Sequence, residues 1–333
     1  MKKWLFIEIV VLVAVLIAAV AVCMELPVFS GDQDGIDLQN PPAGEQTTLF
    51  TETTEPAPTW MTVPKDWELT AQQAFVYDVT AGEFTFLKGK ENDRVFPASI
   101  TKLMTAYVAL QFLQPEEQIT AGDVLELVGA GSSVAEIEKG DTLTVEKLVE
   151  AMLLPSGNDA AYILADAAGR AISGYDSISA WDAVAAFLKE MNGQARSLGM
   201  TGTNFTNPDG YHSADHYTTF SDLVKMGKKV LENQTVMKYA AVSEETVTLG
   251  GEEKKWENTN ELVKPTSKYY CPIATGLKTG QTPSAGSCLL SSFAYEGRQW
   301  IIGVFGCPQK DDRFDDTLWL LDKALFTQTQ TGE

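Results

Sequence analysis

The stretch 97–113 constrains the fold most, because its apolar residues recur at the three- and four-residue spacing of a buried helix. Pro97 suits the entry to such a helix, which places Ser99 in the first turn and Lys102 on the same face. An ammonium group beside a serine hydroxyl can activate that serine as a nucleophile when no histidine serves it. The unpaired backbone N–H groups of a helix start can also hold an oxyanion.

Two further short motifs follow, Ser156-Gly157-Asn158 and Lys278-Thr279-Gly280. Each has an ordinary explanation when taken alone. An S-x-x-K pair arises about once by composition in a chain of this length, and Ser-Gly-Asn is common in turns and at helix starts. In this order, however, the three motifs match penicillin-binding proteins and class A β-lactamases. We therefore interpret them as parts of one active site.

Longer stretches around the motifs strengthen this interpretation. From about 64 to 326 the chain resembles the serine D-Ala-D-Ala carboxypeptidases, the low-molecular-mass penicillin-binding proteins of the penicillin-recognising serine family. A segment between the second and third motifs resembles one that these carboxypeptidases carry and β-lactamases lack. The stretches that carry the resemblance are 96–106, 154–161, 198–210 and 276–280.

The resemblance implies an α+β fold of the β-lactamase/transpeptidase type. This fold has a five-stranded antiparallel sheet flanked by helices and an all-helical subdomain, with the active site in the cleft between them. The residue pattern agrees, since predicted strands lie on both sides of a helical middle, although the pattern alone does not determine the topology. Strands are predicted at 74–78, 83–87, 246–249, 276–280, 287–295 and 299–307, with a hairpin turn at Glu296-Gly297 between the last two. Helices are predicted at 98–113, 144–154, 159–171, 182–198, 221–231 and 314–326.

The first two motifs contain the residues predicted to carry the chemistry. Ser99 is the predicted nucleophile and Lys102 its base. The Ser156 hydroxyl is placed to relay a proton to the leaving amine, and the Asn158 amide to donate to the peptide carbonyl of the substrate. All four are therefore candidate site residues.

The third motif is predicted to bind the end of the substrate. The resemblance makes Lys278 and Thr279 the partners of a C-terminal carboxylate, while Gly280 lets the strand approach the substrate closely. The positive charge of Lys278 is also expected to help keep Lys102 neutral. The resemblance assigns a second oxyanion donor to the backbone N–H of Gln281, a position where related carboxypeptidases often carry histidine.

Together these features predict a serine D-Ala-D-Ala carboxypeptidase that acts on peptidoglycan stem peptides without a cofactor. Ser99 would attack the penultimate D-Ala carbonyl, release the terminal D-Ala and form an acyl-enzyme that water hydrolyses. β-Lactam antibiotics should acylate the same serine.

One alternative is a class A-like β-lactamase, which needs a glutamate that holds the deacylating water. No Glu-x-x-Leu-Asn-like stretch lies between Asn158 and Lys278. The other alternative, a catalytically weak wall-binding protein, should have lost a motif residue.

The two histidines of the chain, His212 and His216, have a spacing that would suit a metal ion on a helix. The sequence 207–210, Asn-Pro-Asp-Gly, favours a turn instead, and no third histidine or cysteine pair joins them, so no metal site is predicted.

Disulfides persist outside the cytoplasm, but spacing alone does not decide the pairing of three cysteines. These are Cys271, Cys288 and Cys307.

Residues 4–24 form an apolar run with a single charge, Glu8, and they follow Lys2 and Lys3. This length is enough to cross a bilayer, so an uncleaved membrane anchor is predicted. Cleavage as a signal segment near 19–21 is the alternative, and the protein would then be secreted.

The charges of the chain indicate where the catalytic part works. The stretch between Lys3 and Lys65 contains no Lys or Arg, so the N-terminus is predicted to be cytoplasmic and the rest extracytoplasmic. A net charge of −20, from 25 basic and 45 acidic residues, argues against nucleic acid as a partner. The predicted organisation is a disordered acidic linker at 25–63, a catalytic domain at 64–326 and a flexible tail at 327–333.

Overall fold

The structure is a computed structural model that describes residues 67–326. The predicted membrane anchor (1–24), linker (25–63) and tail (327–333) lie outside the described residues, as do the first three residues of the predicted catalytic domain. Within 67–326, no helix is both long enough and apolar enough to cross a membrane.

The described part of the chain combines strands and helices. In chain order the strands are β1 (Gln73–Asp78), β2 (Glu83–Lys88), β3 (Arg94–Val95), β4 (Gln118–Thr120), β5 (Thr142–Thr144), β6 (Thr218–Thr219), β7 (Glu244–Leu249), β8 (Glu252–Glu257), β9 (Ala274–Thr282), β10 (Gly286–Tyr295) and β11 (Arg298–Cys307). The helices are α1 (Thr101–Ala109), α2 (Val145–Leu153), α3 (Asn158–Ser173), α4 (Ala180–Ser197), α5 (Phe220–Leu231), α6 (Gln234–Ala240) and α7 (Asp312–Phe326).

The main sheet has five antiparallel strands in the order β2-β1-β11-β10-β9. Strands β10 and β11 are joined by the predicted turn at Glu296 and Gly297. These residues have φ values of 48° and 78°, the positive values that a tight two-residue hairpin turn needs. The pairing of β11 with β1 joins the two ends of the described chain in the middle of the sheet, and it leaves β9 at one edge.

Both faces of the sheet are covered. On one face, Val76, Ile302 and Val304 pack against the apolar side of α7. On the other face, Phe75 contacts Phe220 of α5 with a ring-centroid distance of 5.0 Å. This second face belongs to a larger core that also includes the buried residues of α1 to α4. The sheet is therefore the middle layer of the fold.

The helices on the larger core pack closely because small residues lie at their contacts. A Cβ at Gly169 of α3 would lie only 1.9 Å from the carbonyl oxygen of Ala183 in α4. Hydroxyl groups that precede three helices cap them by accepting backbone N–H groups of the first turn. These capping residues are Thr144 before α2, Ser179 before α4 and Thr219 before α5.

The predicted α+β class and five-stranded antiparallel sheet flanked by helices are confirmed. The helix predicted over 98–113 begins as a 3₁₀ turn, Ala98–Ile100, and its α-helical part ends at Ala109. The sequence analysis missed α6, β8 and the short strand pairs β3–β6 and β4–β5. Strand β8 lacked an apolar pattern because it is highly charged, and Trp256 is its one buried residue.

Candidate active site

Ser99 lies in the 3₁₀ turn before α1, and two glycines bring other backbone segments against this turn. At Gly280 of β9, a Cβ would lie 2.8 Å from the carbonyl oxygen of Pro97 and 3.3 Å from the backbone nitrogen of Ser99. At Gly210, whose φ is 84°, a Cβ would lie 1.8 Å from the carbonyl oxygen of Ala98. A side chain at either position would therefore push the backbone away from Ser99.

Lys102 is fully buried, and its Nζ joins three parts of the site. It donates to Ser99 Oγ at 2.9 Å, to Asn158 Oδ1 at 2.7 Å and to the backbone carbonyl of Asp209 at 2.8 Å. Burial lowers the pKa of Lys102 from 10.5 to about 8, although the negative charges of Asp209 and Asp159 oppose this shift. About a tenth of the lysine is then a neutral amine at pH 7, so it can accept the serine proton.

The second motif lies in the connection between α2 and α3. Ser156 is buried and has a φ of 64°, in the left-handed region that non-glycine residues rarely adopt. Within 67–326 its hydroxyl forms no hydrogen bond. Asn158 begins α3, and its backbone N–H donates to the carbonyl of Ser133 at 2.8 Å. The structure thus joins Asn158 directly to Lys102, but it does not join Ser156 to them by a hydrogen bond.

Asp159 ties a neighbouring loop to the start of α3. Its buried carboxylate accepts three backbone N–H groups at distances of 2.9 to 3.0 Å. Ala135 and Ile137, in the loop that follows Ser133, donate two of these bonds, and Ala160 of α3 donates the third. This carboxylate therefore holds the loop whose carbonyl positions Asn158.

The third motif lies on the edge strand β9. Lys278 is buried, and its Nζ donates to Thr259 Oγ1 at 3.1 Å and to Thr279 Oγ1 at 3.3 Å. The two threonine hydroxyls are themselves 2.6 Å apart. Gln281, two positions beyond Thr279, is exposed. An ammonium group and two hydroxyls therefore share one site beside the turn that carries Ser99.

The pKa values of the two buried lysines of the site, Lys102 and Lys278, are both lowered. Burial is the leading cause of the lowered pKa of Lys102. Burial also places the pKa of Lys278 well below its usual range, and the positive charges of Lys102 and Arg313 lower it further. The repulsion between the two ammonium groups is mutual, so a charge on either lysine disfavours a charge on the other.

Arg313 and Thr259 are site residues that the sequence analysis missed. Arg313 lies near the start of α7, is 2% exposed and donates from Nη1 to the carbonyl of Gly280 at 3.3 Å. Its Nε has no partner among the described residues. A signal was available in the sequence, because Arg313 precedes Thr317 and Leu320 at the spacing of the buried face of α7.

One of the two histidines, His216, supports the loop that contains Asp209. His216 is buried, and its Nδ1 accepts the backbone N–H of Thr206 at 3.1 Å, so Nε2 carries the proton and donates to Thr101 Oγ1 at 2.8 Å. His212 instead packs edge-on against Phe96. Between residues 67 and 326, no group of three or more His, Cys, Asp or Glu side chains has an arrangement that could hold a metal ion.

The three cysteines of the described region are buried and form no disulfide. Burial raises the pKa of Cys271 and that of Cys288 to about 11 each. It also raises the pKa of Cys307, and the nearby Asp316 carboxylate adds to that effect. The thiols are therefore protonated at neutral pH.

Comparison with known proteins places these features in a family. The model of the D-alanyl-D-alanine carboxypeptidase family matches residues 59–309, well over half of the chain. D-alanyl-D-alanine carboxypeptidase DacF of Bacillus subtilis is 30% identical over 78% of this chain and 63% of its own length. The chain thus spans less than two thirds of that relative. The D-alanyl-D-alanine carboxypeptidase of Streptomyces sp. strain K15 is 35% identical over 68% of this chain and 78% of its own length.

Solved structures give the same result. The crystal structure of the Streptomyces K15 DD-transpeptidase matches with a TM-score of 0.69 and 28% identity, and the match covers 79% of this chain and 99% of that one. The resemblance noted in the sequence is confirmed, and the chain belongs to the D-alanyl-D-alanine carboxypeptidase family.

Proposed function

We propose that the protein is a serine D-Ala-D-Ala carboxypeptidase that removes the terminal D-Ala from peptidoglycan stem peptides. The observation that carries this proposal is the 2.9 Å hydrogen bond between Lys102 Nζ and Ser99 Oγ, made by a fully buried lysine. Family membership supports the same activity. The reaction needs no cofactor, because the nucleophile, base and charged binding group all come from side chains.

Acylation begins when the neutral amine of Lys102 takes the proton of Ser99. The serine oxygen then attacks the carbonyl carbon of the penultimate D-Ala, and negative charge develops on the carbonyl oxygen. The backbone N–H of Ser99, in the 3₁₀ turn, stabilises that charge. The backbone N–H of Gln281 is the second donor that the family resemblance implies. Because Gly280 lets β9 approach Ser99 closely, both donors belong to segments that meet at the nucleophile.

The second motif serves the leaving group. In our proposal, the Ser156 hydroxyl passes a proton to the amine of the departing D-Ala, and the side chain of Asn158 orients the substrate. The Asn158 side chain already contacts Lys102, so it aligns the base and the substrate together. Water then attacks the acyl-enzyme and regenerates Ser99.

The cations around β9 select the end of the substrate. Lys278, Thr279 and Arg313 would surround the C-terminal carboxylate of the departing D-Ala, with Lys278 and Arg313 both buried beside Gly280. Burial and mutual repulsion disfavour the charged form of Lys278 in the absence of substrate. A bound carboxylate supplies the missing negative charge, so the site is complementary to a substrate that ends in a free acid.

The central test is covalent labelling by a β-lactam, which shares the acylation step. The catalytic domain is incubated with benzylpenicillin, the adduct is mapped by mass spectrometry, and D-Ala release is measured from a stem peptide. We expect one penicilloyl group on Ser99 and none on Ser99→Ala. Labelling of another residue, or no labelling at saturating drug, would refute the assignment of Ser99.

The penicilloyl adduct should also be long-lived, which distinguishes this protein from a class A-like β-lactamase. Among the described residues, the carboxylates that influence the charge of Lys102 belong to two aspartates, Asp209 and Asp159, and neither is a glutamate. Asp159 is already occupied by three backbone N–H groups. Hydrolysis of a chromogenic cephalosporin should therefore stop after about one equivalent, whereas rapid sustained turnover would favour the β-lactamase alternative.

We further propose that residues 4–24 anchor the protein in the cell membrane, with the acidic linker as a spacer and the catalytic domain outside the cytoplasm. The charge distribution of the N-terminal region supports this orientation. Membrane fractionation of the full chain tests it, because an anchored protein stays with membranes after a high-salt wash. Recovery of a shortened protein in the medium would instead indicate a cleaved signal segment.

A further inference from the structure

The carboxyl group of Asp209 is a buried acid that none of the three motifs includes. Asp209 is 1% exposed, and its own backbone carbonyl accepts the Lys102 ammonium at 2.8 Å. Its Oδ1 accepts the backbone N–H of Tyr211 at 3.1 Å, while Oδ2 has no hydrogen-bond partner among the described residues. The next residue, Gly210, packs on the carbonyl of Ala98. The loop thus holds a carboxyl group beside the base and the nucleophile.

The second acid near Lys102 is different. The Asp159 carboxylate accepts three backbone N–H groups, so its oxygens are already used to hold the loop and the start of α3. Asp209 accepts the backbone N–H of Tyr211, and its Oδ2 has no hydrogen-bond partner within 67–326. Burial raises the pKa of Asp209, whereas the charge of Lys102, the backbone N–H groups of Tyr211 and Asp209 and the side chain of Asn158 lower it. The charge of Asp209 is therefore coupled to that of Lys102.

Other ionisable groups face the same region from neighbouring elements. Lys278 on β9 and Arg313 on α7 are cations, and both lie on the side of the third motif. Tyr162 on α3 remains neutral, because burial and the charge of Asp209 raise its pKa. Burial lowers the pKa of His216 to about 4, so its ring is also neutral at the pH of the reaction. Asp209 is thus the principal carboxylate that stabilises a positive charge on the base.

We propose that Asp209 is a positioning residue whose carboxylate stabilises the ammonium form of Lys102 and so sets the pH above which Ser99 is activated. This inference rests on the proposed function, since it assigns Lys102 as the base of acylation. The two groups titrate as a coupled pair, in which the lower step belongs mainly to the carboxyl group and the upper step to the ammonium.

The effect of removing the Asp209 carboxylate on the protonation of Lys102 follows from its charge. A nearby negative charge favours the ammonium form, so its loss makes the neutral amine available at lower pH. An opposite charge close to a titratable group shifts its pKa by about 1 unit or more. In Asp209→Asn, the acidic limb of the acylation profile should therefore move down by about one pH unit, and acylation on that limb should be about tenfold faster.

The experiment measures the second-order rate of Ser99 acylation by benzylpenicillin from about pH 5 to about pH 10. Asp209→Asn keeps an oxygen for the N–H of Tyr211, so the loop retains its hydrogen bond. The matched control is Asp215→Asn, which removes a charge from an exposed position in the same loop. We expect a shifted acidic limb only in Asp209→Asn. An unshifted limb in a folded Asp209→Asn protein would overturn the proposal.

A second measurement needs no variant of Asp209. Wild-type protein is labelled with 13Cε-lysine, and the resonance of Lys102 is assigned by its absence in Lys102→Arg. Its chemical shift, followed against pH, should show a main titration step and a smaller step at lower pH that comes from the Asp209 carboxyl group. A single-step titration overturns the inference. The proposed function fails separately, because absence of any wild-type labelling at Ser99 across the pH range would exclude acylation itself.

Discussion

Replacing Lys278 by methionine tests substrate recognition most directly, because methionine has a similar length but no charge. The Lys278 Nζ is buried and lies within 3.3 Å of the Thr279 hydroxyl, so water cannot easily replace it. A hydrogen bond to a charged group contributes about 1.5 to 3 kcal/mol. Wild-type protein should therefore favour a peptide that ends in a free D-Ala carboxylate over its C-terminal amide by roughly tenfold to a hundredfold in kcat/KM.

The assay compares D-Ala release from a stem peptide with release of D-alaninamide from the matching amide. Lys278→Met should lose most of the preference for the acid, while Arg313 retains the remainder. The acid-to-amide ratio is the useful quantity, because any effect of Lys278 on the base Lys102 applies equally to both substrates and cancels. The control is Lys229→Met on α5, which removes a surface ammonium paired with Glu232.

Two results would refute this reasoning. Equal kcat/KM values for acid and amide on the wild-type protein would show that the carboxylate is not recognised, and they would reopen endopeptidase activity on crosslinked peptides. An unchanged ratio in Lys278→Met would move recognition to other groups. The preference should also weaken as pH rises, because burial places the pKa of Lys278 well below its usual range and the neutral amine binds the carboxylate less well.

Two further predictions concern stability. Asp316 of α7 is fully buried and accepts four hydrogen bonds from residues 67–71. Asp316→Ala should therefore lower the free energy of unfolding, measured in urea, by about 3 kcal/mol or more. The control Asp322→Ala, on the same helix, should have a small effect. Burial lowers the pKa of His216 to about 4, whereas a histidine in the unfolded chain has a pKa of about 6.5. Between these two pH values the unfolded state binds more protons than the folded state. The free energy of unfolding therefore decreases as pH falls through this window. The loss should approach roughly 3 kcal/mol in urea titrations at successive pH values, and His216→Gln, but not His212→Gln, should remove it.

Local patterns in the sequence predicted the parts of the site that depend on neighbouring residues. The three-residue spacing of Ser99 and Lys102 predicted their contact, since one helical turn brings such side chains together. Two strand-like runs of residues predicted β10 and β11, and the intervening Glu296-Gly297 predicted the hairpin turn between them. In each case the interacting groups lie within a few residues of one another, so tertiary packing was not needed to predict the contact.

The remaining site residues depend on tertiary packing. Arg313 reaches Gly280 because α7 packs back across the sheet, and Asp209 reaches Lys102 because the loop before β6 closes over the start of α1. Neither contact follows from spacing, and both residues are of kinds usually exposed. The pKa of Lys102 also depends on tertiary packing, because packing buries its side chain and brings Asp209 and Asp159 near it.

Backbone conformation departs from local preference at two residues next to the chemistry. Ala98 has a φ of 48° and Ser156 a φ of 64°, although residues with a Cβ disfavour this region by about 1 to 2 kcal/mol. Glycine would remove this strain at position 156, but it would also remove the hydroxyl that we assign to proton transfer. Hydrogen bonds that follow directly in the chain hold the loop in place, from Gly157 N–H to the carbonyl of Ala151 and from Asn158 N–H to that of Ser133. A backbone strained next to the active site agrees with the proton-transfer role that we propose for the Ser156 hydroxyl, and a sequence-based preference for relaxed backbone would not predict it.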